Sequence, residues 1–554
     1  MKRFALFLLL GLTFLLRVIW LDRYPVGFTA DEASFGYDAY SILKTGKDQW
    51  GQSFPLALRS FGDFKLPVYT YLTVPSVALF GLNEFAVRLP NALLGTLAVL
   101  VVYLLVKELF EDEKMSLLAA FILAISPWHL SLSRGGFEAS LTTIFLPLGV
   151  LFFIKGLNKK NYLILSALAF GLNLFTYHSA RYVTPLVILV LVFWQRQKLG
   201  NNYKKFVIPA LIFAVFLLLA VGVLLSGGGS RVSDVAVFNP TDNWKAVADK
   251  RYEAVLLGLP DGIARLFSNK VTYVLKQFIQ NFLTYTSFNF LFLQGAGDAS
   301  YGMTPGYGVL YLVDIIFLFS AIAQFLKNRD RRIGLILSWI LVGFIPASLS
   351  KGSGYAANRA AVVMPAIQIL LAYGAYGLVK ARPFRLSERL LAGVLVGVLS
   401  LSLLAFLENY TYQAPAIDAP YMSFGWKDSL RQVAKIESNY KQIVISRSFS
   451  EPQIFIAFYF KLDPNFVQSQ SKEWLAYEQK KLPFVDQLGQ YRLGKYIIRD
   501  INYSEDSKLT GTLLIGRPES FPEKISSLYT TFYPDGKPAI LIVDSTVQEF
   551  AKAN

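Results

Sequence analysis

Cysteine is missing from all 554 residues, which excludes disulfides, thiolate metal sites and cysteine nucleophiles. Histidine occurs only twice, as His129 and His178. Charge is scarce as well. Only 17% of the chain is charged and 54% is hydrophobic, too apolar for a soluble protein of this size. Nucleotide-binding loops, internal repeats and low-complexity segments are absent. What the chain has in quantity is long apolar runs, many of 17 or more residues, the pattern of a multi-span membrane protein. Its 54 Lys and Arg against 38 Asp and Glu give a net charge of +16. That excess does not point to nucleic acid, because the basic residues fall in short loops between apolar runs, where they set orientation. The 15% aromatic content suits interfacial belts and sugar-stacking surfaces equally.

Lys2 and Arg3 precede a first apolar run, Ala5 to Leu21, with no small-x-small cleavage site after it. It reads as an uncleaved span with a cytoplasmic N-terminus. The next run, Leu66 to Leu82, is interrupted by Pro67 and Pro75 and made amphipathic by Tyr69 and Tyr71. If it does not cross, spans follow at about 88–107, 116–131, 140–155, 161–177, 182–197, 206–225, 308–326, 333–350, 360–379 and 389–407. The loops Lys107–Lys114, Lys155–Lys160, Arg196–Lys205, Lys327–Arg332 and Lys380–Arg389 then all lie in the cytoplasm, as the positive-inside rule requires. If it crosses, all five lie outside. Leu66–Leu82 is therefore expected to be a juxtamembrane or re-entrant helix, and the fold an α-helical polytopic membrane protein of about eleven spans.

That orientation sets Asp31, Glu32, Lys65, Arg88, His129, Arg134, Glu138, His178, Arg181, Lys351, Asn358 and Arg359 in one polar layer on the outer face. The stretch that organises the rest is Phe28-Thr-Ala-Asp-Glu-Ala-Ser-Phe-Gly-Tyr-Asp-Ala-Tyr40, where an acidic pair stands at a bilayer boundary. Its loop, residues 22–87, closes through Phe61-Gly-Asp-Phe-Lys-Leu-Pro67. An acidic pair in a loop is usually solvated surface. Surrounding basic residues change the weighing, because Lys65, Arg88, Arg134, Arg181 and Arg359 suit phosphate oxygens. A phosphate at the bilayer surface belongs to a lipid. Each of these cations taken alone is equally well a snorkelling anchor. Arg134 and Glu138 stand four apart and can pair across a helical turn. His178 is a donor to substrate or an ordinary interfacial histidine, and His129, after Pro127-Trp128, reads as an interface anchor.

A long outer loop, 226–308, opens with Gly-Gly-Gly-Ser and holds a helical pattern over Ile263–Tyr285, which suits a lid or a helix packed on its neighbours. After Leu407 the composition turns ordinary. Residues 408–554 carry a helical pattern at Trp426–Tyr440 and strand-like runs at Gln442–Ser446, Tyr496–Arg499, Thr512–Gly516 and Ala539–Val543, predicting an extracytoplasmic α/β domain after a transmembrane domain of residues 1–407.

The early Asp31-Glu32, the Lys65-x-Pro67 segment, Asn83-Glu-Phe-Ala-Val-Arg-Leu-Pro-Asn-Ala-Leu-Leu-Gly95 and Ser126-Pro127 followed by Ser133-Arg-Gly-Gly-Phe-Glu-Ala139 together resemble the GT-C superfamily. The nearest group is family 39, with the protein O-mannosyltransferases and lipid A aminoarabinose transferases. The resemblance covers roughly residues 1–380. It implies a membrane glycosyltransferase that moves a monosaccharide from a polyprenyl-phosphate donor to an acceptor hydroxyl, with inversion. By matching position Asp31 would be the base and Glu32 its orienting neighbour. Lys65, Arg134, Glu138, His178 and Arg181 would bind donor phosphate or sugar, with Arg359, and Arg88 would bind it too or tie the loop down. Glu138 stands where these enzymes often carry Asp. No cofactor is demanded. A divalent cation (Mg, Mn or Zn) held by Asp31 and Glu138 is the one such group that oxygen ligands here would suit. The acceptor, a protein, a lipid or a glycan, is not carried over. The rivals are a ligase or polymerase using a lipid-diphosphate donor, and a lipid-linked sugar transporter or flippase, which would place polar groups at mid-membrane. A bacterial plasma membrane is the expected location.

Overall fold

The computed structural model describes residues 2–200, 203–225, 236–297, 303, 306–351, 357–382 and 386–546. The Gly-Gly-Gly-Ser expected to open the outer loop lies outside them. Each expected span overlaps a helix or, at 116–131 and 360–379, a bent pair of helices, beginning with α1 (Lys2–Val18). Among the described residues five helical stretches are long and apolar enough to cross a bilayer, or up to seven if each bent pair counts as one span. The bent pairs are Glu113–Ile125 with Pro127–Arg134, at 56°, and Ala357–Val363 with Ala366–Ala381, at 60°. Pro127 and Pro365 stand at these breaks, where a missing N–H cannot continue the helix.

The chain divides into two compact units. One comprises Met1–Arg17, Asn91–Ser133 and Phe137–Leu407. It is a helical body whose members approach closely at small residues: a Cβ on Gly149 would meet the Phe170 ring at 2.5 Å. Helix Lys204–Val223 buries only 17% of its most apolar window, and Leu211 and Leu218 stand outward. In water that surface would be ruinous, but hydrocarbon accepts it. His129 is not an interface anchor. It is fully buried, with Nδ1 2.7 Å from Arg17 Nη2 and Nε2 3.0 Å from Thr143 Oγ1. The outer-loop pattern Ile263–Tyr285 is two helices, Asp261–Phe267 and Lys270–Tyr285, because Asn269 makes a capping box with Thr272 and restarts the chain. Asn281 then donates to the carbonyls of Ser348 and Ser350, tying the second helix to Arg331–Ser348.

The other unit joins Val18–Pro90 and Arg134–Gly136 to Glu408–Asn554. The loop expected to carry chemistry therefore shares a compact body with the C-terminal residues. It holds α2 (Ala30–Thr45), a hairpin of β1 (Leu58–Arg59) and β2 (Phe64–Lys65), α3 (Pro67–Phe80) and the start of α4 (Glu84–Phe110). The 14 residues of α3 extend about 21 Å, short of a hydrocarbon core of about 30 Å. The C-terminal sheet contains β3 (Gln442–Ser446), β4 (Gln490–Leu493), β5 (Tyr496–Arg499), β6 (Thr512–Gly516), β7 (Tyr529–Phe532) and β8 (Pro538–Asp544), in the order β4-β5-β3-β6-β8-β7. β3 pairs in parallel with β5 and β6, and the outer pairings are antiparallel. Trp426 anchors the packing, stacked 5.1 Å from the Phe455 ring.

The loop and the C-terminal residues interlock. Phe28 N–H donates to the Met422 carbonyl at 2.8 Å, and the rings of Phe28 and Phe458 lie 4.9 Å apart. A Cβ on Gly36 would meet Val87 Cγ2 at 2.5 Å and Phe458 Cε2 at 2.6 Å. Gly36→Ala is thus expected to cost about 1–3 kcal/mol through overpacking. Thermal unfolding of the purified chain checks this, and an unchanged midpoint would contradict the close approach.

Candidate active site

Thr29 makes the local geometry of the acidic pair. Its Oγ1 accepts the Glu32 N–H at 3.2 Å, and Glu32 Oε2 accepts the Thr29 N–H at 3.0 Å, a reciprocal capping box that starts α2. Neighbouring helical residues point about 100° apart, so fixing Glu32 inward turns Asp31 away from it.

Glu32 is fully buried and its oxygens are saturated. Arg88 grips it with Nε at 2.8 Å and Nη2 at 3.2 Å, and the Gly136 N–H adds a third donor at 2.8 Å. Arg88, also fully buried, uses its remaining donors on the carbonyls of Leu21, Pro25 and Gly27. A Cβ on Gly136 would come within 2.9 Å of Glu32 Cγ, so glycine is what allows the backbone that close. Arg134 faces the same chain entry, donating to the Ile19 carbonyl at 2.8 Å, with its guanidinium 5.6 Å from the Tyr410 ring. These contacts lash the end of the first helix to the loop.

Asp31 has the opposite surroundings. Its side chain is 36% exposed, and its Oδ1 lies 2.8 Å from Lys65 Nζ, whose side chain is only 2% exposed. Burial alone would pull the Lys65 ammonium down. The Asp31 carboxylate, with Asp63 and Glu451 further off, overrides it and holds Lys65 above the ordinary lysine value. The hairpin aims this lysine: Ser60 N–H donates to the Asp63 carbonyl, and β2 then feeds Pro67 at the first turn of α3. The ammonium also sits 4.8 Å from the Phe35 ring.

The remaining predicted residues fall in the other unit. His178, Arg181, Asn358 and Arg359 line a cavity of about 530 Å³, walled largely by apolar groups such as Pro185 and Leu186. Arg181 is nearly buried. Its Nε donates to the Leu174 carbonyl, while Nη1 and Nη2 have no hydrogen-bond partner among the described residues. Two buried guanidinium N–H groups facing an apolar cavity make a site for an anion attached to something apolar. Arg359 is held by the Lys351 carbonyl at 2.7 Å, and Asn358 donates to the Tyr177 hydroxyl at 3.1 Å. Glu138 stands half-buried on the 3-10 turn Glu138–Leu141. It and Asp31, the pair expected to hold a cation, belong to different units, and no group of three or more His, Cys, Asp or Glu suited to a metal occurs among the described residues.

The sequence reading missed Glu451, a half-buried carboxyl from the C-terminal residues that stands within electrostatic range of Asp31 and Lys65. Its surroundings, Ser450-Glu451-Pro452, carry no motif. The structural part of Glu32 had a visible signal, since Thr29-Ala-Asp-Glu32 is a capping-box pattern.

Removing Arg88 would strand a buried carboxylate. Arg88→Met is expected to destabilise the fold by about 3–5 kcal/mol. A thermal melt in detergent measures it, and a shift of less than about 1 kcal/mol would contradict the role assigned to the pair.

Comparison with known proteins places this geometry. Residues 65–221 match the family model described as dolichyl-phosphate-mannose-protein mannosyltransferase. Over 95 residues the chain is 32% identical to YkcB of Bacillus subtilis, a protein provisionally named a mannosyltransferase. That stretch is 17% of this chain and 13% of YkcB, so the match spans a small part of the curated relative. ArnT from Cupriavidus metallidurans, solved bound to undecaprenyl phosphate, matches with a TM-score of 0.53 at 13% identity, covering 97% of each chain. The oligosaccharyltransferase AglB from Archaeoglobus fulgidus, solved with an inhibitory peptide and a dolichol-phosphate, gives a TM-score of 0.49 at 15% identity over 99% of this chain and 75% of its own. The likeness to membrane mannosyltransferases is thus found over residues 65–221 by the family match, and ArnT shares the fold.

Proposed function

We propose that this GT-C-like chain is an integral-membrane glycosyltransferase that takes a monosaccharide from a polyprenyl-phosphate donor. One observation carries the reading: of two adjacent carboxylates, Glu32 is buried and saturated while Asp31 is accessible and ion-paired with Lys65 at 2.8 Å. A base needs that access to substrate. The cavity supports the donor half of the reading, being apolar enough for a prenyl chain and cationic where a phosphate would end it, with Arg181 donors that have no partner among the described residues.

In the proposed step Asp31 accepts the proton of an acceptor hydroxyl as its oxygen attacks the anomeric carbon. The bond from that carbon to the phosphate oxygen breaks on the opposite face, and its electron pair leaves with polyprenyl phosphate. A phosphate needs little protonation to depart, so cations suffice there, and Arg181 with Arg359 are the candidates. Asp31 attacks nothing itself, so the anomeric centre inverts. Glu32, Arg88 and Arg134 make the frame, and His178 and Glu138 are assigned to the donor sugar. Asp31 and Glu138 are each an oxygen ligand of the kind a divalent cation takes, and no part of the step depends on one. The basic loops at Lys107–Lys114, Lys155–Lys160 and Lys327–Arg332 support an orientation with the N-terminus in the cytoplasm and Asp31 outside, in a bacterial plasma membrane.

Membranes containing the full chain, supplied with a panel of radiolabelled polyprenyl-phosphate monosaccharides led by mannose, test the reading. The wild type is expected to move label from one donor to a new acceptor with inverted configuration. Asp31→Asn is expected to lower transfer about 100-fold or more, the usual weight of a general base. Arg181→Gln is expected to weaken donor binding about tenfold, as a lost charged hydrogen bond does. Turnover of lipid-diphosphate donors alone would favour a ligase, and a retained configuration would remove Asp31 as base.

A further inference from the structure

The mechanism above leaves the acceptor unheld. Glu451 sits at the end of β3 where α/β sheets present ligand sites, since the chain beyond the carboxyl ends of parallel strands lines the crevice. It precedes helix Pro452–Tyr459 in the left-handed region, at φ 53°, a posture that non-glycine residues adopt only when their surroundings impose it. The surroundings do impose it. Glu451 N–H donates to Asp486 Oδ2 at 3.0 Å, and Tyr491 O–H secures the other oxygen of Asp486 at 2.5 Å. Next to Asp486, Val485 N–H donates to the Phe61 carbonyl at 2.9 Å, and Phe484 fills the space over Gly62. The turn that aims Lys65 and the turn that aims Glu451 are thus pinned to the same short segment.

The Glu451 side chain itself caps nothing. It makes no capping bond to its own helix and accepts no hydrogen bond among the described residues. A half-buried carboxyl fixed by its backbone with its side chain unspent is available to a ligand.

We infer that Glu451 is a positioning residue, through which the C-terminal residues hold an acceptor oxygen by hydrogen bond so that the reacting hydroxyl meets Asp31. This rests on the glycosyl-transfer reading. The groups facing Glu451 are Asp31, Asp486, Lys65 and Asp63. Burial first, then the Asp31 and Asp486 carboxylates, push it up to about 8, against the smaller opposing pull of Lys65. Near neutral pH it is therefore a neutral hydrogen-bond donor beside Asp31. The two carboxyls divide into an acceptor-holding acid and a proton-taking base because their environments differ. As pH rises through about 8 Glu451 ionises and the donor is lost.

Because the acceptor is unidentified, the informative readout is a partition. Full chain in native membranes is given radiolabelled polyprenyl-phosphate mannose, or whichever monosaccharide donor turns over, and label is counted both in acceptor and as free sugar released by water. Glu451→Ala is expected to lower transfer to acceptor about tenfold while release to water and donor KM stay at wild-type values. Glu451→Gln, which keeps a neutral donor, is expected to preserve the wild-type partition at about pH 7 and to hold it at about pH 9, where the wild type loses it. Equal loss of both routes in both variants would mean a structural residue, and an unchanged partition in Glu451→Ala would mean no role; either overturns the proposal. Wild-type turnover with such a result leaves the transferase reading standing. Absence of any turnover by the wild type, with every donor, ends both.

Discussion

The ion pair between Glu32 and Arg88 is the interaction on which the rest of the site depends. Two charges removed from water cost several kcal/mol each, and their attraction repays this only when every remaining donor and acceptor is met. Here they are met. Glu32 also closes a helix cap and takes the Gly136 N–H, and Arg88 collects three carbonyls from the turn segment entering the loop. One buried pair therefore joins the turns that follow the first helix, the start of α2, the start of α4 and the Arg134–Gly136 segment. A weaker tie would leave those pieces free to slide, because an apolar contact specifies no register.

That clamp explains how two adjacent acids come to do different work. With Glu32 locked inward, the turn of the helix leaves Asp31 facing out, where a lysine buried on a two-stranded hairpin pairs with it. The C-terminal sheet is part of the same body. Its segment around Val485 backs the hairpin, its helix Pro452–Tyr459 packs on Gly36, and Tyr459 and Lys427 hold Glu84 at the head of α4. The loop that carries Asp31 is thus braced by residues more than three hundred positions away in the chain. His178, Arg181 and Arg359, by contrast, line a cavity within the helical unit.

Much of this was legible in the sequence, for physical reasons that can be named. Apolar runs mark helices faithfully, and Gln442–Ser446, Tyr496–Arg499 and Thr512–Gly516 read as strands because they are continuous buried runs. Strand β4 did not, since Gln490 and Arg492 alternate with Tyr491 and Leu493 on a sheet edge where only one face is covered. The single outer-loop helix became two because a cap at Asn269 outweighs continuous apolar spacing. The acidic pair was visible, but its division was not used, although the capping-box spacing from Thr29 to Glu32 contains it. Glu451 was beyond reach. Nothing local marks it, and only the folded C-terminal residues bring it near Asp31.

The central claim is that Asp31 reacts and Glu32 supports. Measuring sugar transfer and thermal unfolding side by side in Asp31→Asn and Glu32→Gln tests it most directly. The account predicts that Asp31→Asn loses transfer with a smaller fall in melting temperature, that of one half-exposed partner of Lys65, while Glu32→Gln, at a fully buried pair, unfolds at a much lower one. A chain that keeps its transfer with Asp31 neutralised, or keeps its stability with Glu32 neutralised, would contradict it.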